Sequence, residues 1–443
     1  MGTAIARDQA REHDRSEDPL EPLRPEAWGP AEAAHLLRRA GFGGPPEEVA
    51  ELASLGPGAA VDSLVDFPPE EPELEAEIAS HGSALAVGET RRAMRPENGL
   101  EALRAWWLYR MARTRHPLRE KLALFWHGHF ACAASKVGNE ALMLDQNELF
   151  RRLGAGSFRE LLLAVAADPA MLAFLDNRVS RKEHPNENWA RELMELFTLG
   201  VDRYTQEDVR EVARAFTGWT TPEPGARSFD FDPRMHDQGD KRVFGARLAG
   251  RRGERGVDEG REVIERILLR PECAEFLAGK LAAFFCAGEL PPRLASALAA
   301  RLRSSGGSVR ETLRALFASR AFYAARFRLV KGPVEMAAGA LRVLGVQNPH
   351  LVGLAPRLAR MGQELFEPPS VAGWYGGVAW VQSASLLERS ELARELAELP
   401  HTRRSVAGAA AYDVDALAGE ARANAELVDA LAERLLQRQP PEP

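Results

Sequence analysis

The sequence predicts an all-α protein: one large multi-helix domain with a small β-hairpin or irregular insertion around residues 225–247. Three observations predict it. Segment after segment carries apolar residues at helical spacing. Many of these segments open on Pro, Ser or Thr and close near Gly. Residues 220–256 break the pattern, with the period-2 run Ser228-Phe229-Asp230-Phe231-Asp232 set among Pro, Gly and Arg. No fixed-period repeat is visible, which argues against a regular solenoid.

Taken in order, residues 1–27 are polar and rich in Pro and Glu, and are expected to form a disordered arm. The core domain is expected over 28–398. Its first helix covers Pro30–Arg39 and stops at Gly41 and Gly43. Pro46–Leu55 and Gly58–Asp66 follow, and 67–98 reads as an acidic, loop-like surface excursion. From Gly99 to Phe174 helix succeeds helix: Glu101–Arg113 with its Trp106-Trp107 pair, Pro117–Ala131 opening on Pro, and the amphipathic Ser157–Ala167. Asn186–Leu199 and Thr205–Thr217 precede the insertion. After it come Val257–Leu269, Pro271–Phe285, Pro291–Arg303 and Ser308–Ala318, the last with Ser308 suited to an N-cap. Gly332–Leu344, Leu354–Arg360 and Ser383–Leu396 complete the core. Residues 399–437 are expected as a C-terminal helical extension, with 438–443 a Pro-rich tail.

Composition narrows the class. A chain of 443 residues with 27% charged side chains reads as a soluble globular protein with a sizeable core. Its net charge of −7 argues against a general nucleic-acid binder. Cys132, Cys273 and Cys286 show neither metal-ligand spacing nor a disulfide framework. No run of about 18 apolar residues appears, so no membrane span is expected. The start lacks an apolar signal-peptide core, so the cytoplasm is the default expectation. Walker loops, dinucleotide fingerprints, nucleophile elbows and zincin helices are all missing.

Four segments concentrate groups that carry chemistry. The first is the helix opening at Pro185-Asn186 and closed by Gly200. With Glu187 at 0° and about 100° per residue, Glu187, Thr198, Arg191, Glu195, Asn188 and Glu192 fall between about 0° and 140°. Leu196, Trp189, Leu193, Phe197, Ala190 and Met194 fill the opposite face. Three carboxylates on one face suit a hard metal or a divided acid/base role. A solvated face laced with pairs such as Glu187–Arg191 is the structural alternative. The second is Phe125-Trp126-His127-Gly128-His129-Phe130. On a helix the two histidines lie about 200° apart and cannot share one ion. His129 falls on the apolar stripe and reads as a hydrogen-bonded core histidine, while His127 lines up with Glu120. Gly128 between them is also a candidate helix stop. The third is His236-Asp237-Gln238-Gly239-Asp240-Lys241, a source of ligands or a general base, or simply a polar turn. The fourth is the Pro/Gly/aromatic loop Phe366–Gly377 with Trp374, a lid, a stacking wall or core filler.

These segments resemble a bacterial family known only as domain of unknown function 1800. His35–Gly43, Phe125–Phe130, Asn186–Leu196, Tyr204–Val209 and Ala215–Trp219 carry the resemblance, with His236-Asp237, Gly239, Lys241, Pro368-Pro369 and Gly373-Trp374, over roughly residues 30–395. It implies one shared architecture and no established activity. Many relatives are encoded near a family similar to alkaline phosphatases and sulfatases, which implies a partner of that kind. Many members carry an export signal that this chain does not show, so the resemblance also implies export as the other compartment.

Two functions stay open. In an enzyme, Glu187, Glu192, His127 and Asp237 are the catalytic candidates for hydrolytic or transfer chemistry. Asn188, Arg191, Lys241 and Trp374 would then bind ligand. His127, Glu192, Glu195 and His236 are the candidate ligands of a divalent metal such as Zn, Mn or Fe. In a non-catalytic helical protein, the acidic face and the Trp loops would meet a protein or polymer partner. The readings separate on geometry: the enzyme requires Glu187, Glu192 and Glu195 to face His127 and the His236-Asp237 loop.

Overall fold

The computed structural model describes residues 18–81, 99–286, 291–346 and 354–402, together with 417, 419, 421 and 423–436. The first half of the chain forms α1 (Pro30–Ala40), α2 (Pro46–Ser54), α3 (Pro57–Val65), α4 (Pro72–His81), α5 (Leu100–Arg113), α6 (Pro117–His129), α7 (Ala134–Val137), α8 (Glu140–Leu153), α9 (Phe158–Ala166), α10 (Pro169–Phe174), α11 (Glu187–Glu195) and α12 (Gln206–Ala215). Two short antiparallel pairs follow, β1 (Trp219–Thr220) with β2 (Asp230–Phe231) and β3 (Lys241–Val243) with β4 (Ala246–Leu248). Then come α13 (Val257–Leu268), α14 (Pro271–Phe285), α15 (Pro292–Ser304), α16 (Val309–Ala318), α17 (Arg320–Ala324), α18 (Pro333–Val343), α19 (Leu354–Arg360), α20 (Ser383–Thr402) and α21 (Asn424–Leu436). The fold is all-α with two minor two-stranded sheets.

Local chemistry explains the boundaries. Pro sits in the first turn of ten of the helices named above, among them α1, α6, α14 and α18, where its missing N–H removes no helical bond. Ser308 caps α16 by accepting from Glu311 N, and Thr205 and Asp208 form a full capping box on α12. The β3–β4 hairpin turns at Phe244 and Gly245, both with positive φ (52° and 75°), as a tight right-twisted hairpin requires.

Two expectations change. Residues 18–27 are not part of a free arm: Leu23 N–H donates to Ala318 O at 2.8 Å, and Pro25–Ala27 forms a short 3₁₀ turn. Three apolar or aromatic anchors, Leu20, Leu23 and Trp28, outweigh the polar composition by packing on the core. The acidic stretch 67–98 contains α4, whose carboxylates have specific cationic partners. Glu75 pairs with Arg110 at 2.6 Å and Glu77 with Arg113 at 2.8 Å. Residues 1–17, 82–98 and the tail 438–443 lie outside the described residues, and α20 runs across the expected boundary at 398/399.

At the centre lie α5 and α6. Every residue of α6 except Gly128 is buried, including its charged Arg119, Glu120 and Lys121. Trp107 and Trp126 are among the largest fully buried side chains. Among the described residues, no helix is long and apolar enough to cross a membrane.

Candidate functional site

The acidic helix α11 is built as the wheel describes. Asn186 caps it, accepting from Trp189 N at 3.1 Å while its amide donates to Leu175 O at 2.7 Å. Trp189, Ala190, Leu193 and Met194 are buried. The helix ends at Glu195, four residues before the expected end. There Leu199 N–H donates to Met194 O at 2.7 Å, and Thr198 Oγ1 donates to Leu193 O at 2.6 Å. The polar face meets α12 and solvent. Gln206 of α12 bridges it, its amide nitrogen donating to Glu187 at 2.9 Å and its carbonyl accepting from Arg191 at 3.0 Å. Glu195 accepts from the Tyr204 hydroxyl. Half-buried Glu192 is raised above the ordinary carboxylate range by burial and by Glu195, with Arg191 opposing. Asn188 is exposed at the edge of a shallow recess with Ser180, Arg181 and His184.

His127 stands elsewhere, buried at 1% exposure. Phe366 N–H donates to its Nε2 at 3.0 Å, so that nitrogen carries no proton and the imidazole is neutral. Burial agrees, pushing His127 down to about 3. This bond holds Phe366 at φ +64°, a strained value for a bulky residue. Trp107, Phe366 and Trp374 surround the ring, each with its centroid 5.3 Å away. The loop is fastened again at Gly373, whose φ is +79°; a Cβ there would sit 2.1 Å from Gly128 O. Gly373→Ala is therefore expected to lower stability by about 2 kcal/mol and shift Trp374 emission. Thermal melting and tryptophan fluorescence check this, and an unchanged melt and spectrum would contradict it.

Glu120, one helical heptad before His127, does not reach it. Trp107 Nε1 donates to Glu120 at 3.0 Å, and Arg151 and Arg110 contact the same carboxylate at 2.8 and 3.2 Å. His129 is held by the Phe197 carbonyl at 3.0 Å.

The His236–Lys241 segment docks on α12 and α13. His236 Nδ1 faces Thr217 O at 2.8 Å, and its Nε2 lies 3.2 Å from Glu259, the third residue of α13. Lys241 Nζ is 2.5 Å from the other Glu259 oxygen and donates to the Asp237 and Gly239 carbonyls. Asp237 accepts a two-pronged contact from Arg214 at 2.8 and 3.2 Å. Burial opposes ionisation of Asp237, yet Arg214 and the Gly239 amide hold its carboxyl below the usual range. The side chains of His236, Lys241 and Glu259 are fully buried, and the Lys241–Glu259 ion pair, with the Lys241 bonds to the two loop carbonyls, ties the hairpin down.

The candidate residues thus occupy three settings: a solvent-facing helix surface, an aromatic latch around His127, and a buried ion cluster under the hairpin. Among the described residues, no three His, Cys, Asp or Glu side chains are grouped to hold a metal.

A different feature has the form of a binding site. A cavity of about 760 Å³ opens among α1, the 325–331 segment, α18, α20 and α21, within the usual range for small-molecule pockets. Its apolar wall includes Val343, Leu344, Leu396, Leu427 and Leu431. Its ionisable nitrogen groups are His35, Arg38, Arg39, Lys331 and Arg389. Gly339 lets α18 approach this side, since a Cβ there would meet Phe42 O at 2.5 Å. The sequence holds one signal for the cavity, the basic trio His35, Arg38 and Arg39 at i, i+3 and i+4 on α1.

The model of the family described as "Protein of unknown function (DUF1800)" matches residues 35–443. No curated protein and no solved structure matches the chain.

Proposed function

The chain belongs to the DUF1800 family, and from that premise we propose that it is a binding protein, holding a small molecule with an extended apolar body in the cavity among α1, α18, α20 and α21. The carrying observation is the cavity itself: about 760 Å³, walled by leucines and valine from three helices and open at one side. The enzyme reading has less support. Glu187, Arg191, Glu195, Asp237 and Lys241 each have a protein partner, and His127 spends its lone pair on a backbone amide. A general base needs that lone pair for substrate.

The test is titration with a neutral, environment-sensitive fluorophore such as N-phenyl-1-naphthylamine. One saturable site is expected. Ala340→Trp and Ala393→Trp, which fill the cavity from α18 and α20, should each weaken it at least about tenfold, about 1.4 kcal/mol. Circular dichroism checks that both variants stay folded. Absence of a saturable site, or affinity unchanged in both folded variants, would overturn the reading.

A further inference from the structure

We infer that Lys331 captures a carbonyl: the cavity takes a long-chain aldehyde or ketone, and Lys331 Nζ condenses with it to an imine. This rests on the binding reading above and names the chemistry of its ligand.

The chain uses arginine for almost all of its positive charge, with six lysines among 57 basic residues. Four of the six, Lys121, Lys136, Lys182 and Lys241, pair with a carboxylate. Lys280 sits over the Phe276 ring at 5.1 Å and does not line the cavity. Lys331 does line it, and its side chain makes no hydrogen bond or ion pair among the described residues. The amine lies at the α18 wall: a Cβ built on Gly339, another lining residue, would sit 3.5 Å from Nζ. The backbone is held on both sides of Lys331. Arg389 donates through Nη2 to Lys331 O at 2.8 Å, and Gly332 N–H donates to Glu335 at 2.8 Å.

Lysine is the basic side chain that can give up its proton in such a place, which a guanidinium cannot. Burial, with Arg38 and Arg39 adding to it against Glu335, holds the Lys331 ammonium down to about 8. The free amine is the nucleophile that imine formation needs. Its lone pair attacks the carbonyl carbon. A C=N bond replaces the C=O bond, and the oxygen leaves as water with both amine hydrogens, so no oxidant or reductant enters. Burial also holds Lys280 down to about 8, so acidity alone does not single out Lys331. The cavity does: Val343 and Leu344 of α18, with Leu427 and Leu431 of α21, take the chain that trails from the carbonyl.

The experiment treats the protein with dodecanal, reduces the imine with cyanoborohydride, and locates the dodecyl-amine by peptide mass spectrometry. Lys331 should carry at least about tenfold more label than Lys280, which shares its acidity but not the cavity, and than the half-exposed Lys136 and Lys182. Saturating N-phenyl-1-naphthylamine should cut the Lys331 label at least about tenfold by occupying the same space. Label at Lys331 no greater than at Lys280, or unchanged by bound fluorophore, would overturn the carbonyl inference while the cavity reading stands. Failure of the fluorophore itself to bind would instead remove the binding reading on which the inference rests.

Discussion

Glu120→Gln is expected to lower the stability of the protein by about 3–5 kcal/mol in equilibrium urea unfolding. Glu120 is the sole carboxylate among the contacts that join Trp107, Arg110 and Arg151 in the core, and both it and Arg110 are 1% exposed. Neutralising it leaves two guanidiniums facing each other away from water. The outlying carboxylates, Glu75 on Arg110 and Glu148 on Arg151, are about half exposed and cannot replace it. The same pairing predicts an acid limb. Burial opposes ionisation of Glu120, but Arg151 and Arg110 outweigh it and hold the carboxyl down to about 2. Glu335 is likewise held at about 2, against burial, by Lys121 and Arg39. A folded value below the unfolded one, about 4.3, means that the stabilisation is fully present above that pH. It is lost as pH falls from about 4.3 towards 2. Glu120→Gln should flatten part of this limb. An unfolding midpoint unchanged by the substitution, at neutral and acid pH alike, would contradict the buried network.

Lys241→Met is expected to cost a similar 3–5 kcal/mol, because it strands Glu259 beside His236 with both side chains fully buried. The effect should appear first in the hairpin. Amides of β3 and β4 should exchange with deuterium much faster than those of α13, since Lys241 is also what gathers the Asp237 and Gly239 carbonyls. Replacing both members, Lys241→Met with Glu259→Leu, should recover much of the loss by removing the stranded charge. A double variant no more stable than Lys241→Met would contradict the pairing.

The sequence made most helices legible because their starts and stops are local chemistry. Ser308, Thr205 and Asn186 cap where the pattern places them. It also showed which face of α11 is buried. It could not show what the polar face meets, because Gln206 belongs to another helix. His127 and Glu120 do share a face of α6, and the helix does pass through Gly128. Trp107, from α5, inserts between them, and that is a tertiary fact. Glu259 is 23 residues from His236 in ordinary helical sequence, and nothing local marks it. The cavity is the extreme case: its lining is gathered from helices as far apart as Pro30–Ala40 and Asn424–Leu436. No periodicity in one segment reveals a space enclosed by several.

Fluorescence titration of N-phenyl-1-naphthylamine into Ala340→Trp and Glu192→Gln side by side decides between the cavity and the acidic helix. Filling the cavity should weaken binding at least about tenfold, and neutralising Glu192 should leave affinity within about twofold of the parent. Lost binding in Glu192→Gln with retained binding in Ala340→Trp would place function on α11 and contradict the cavity.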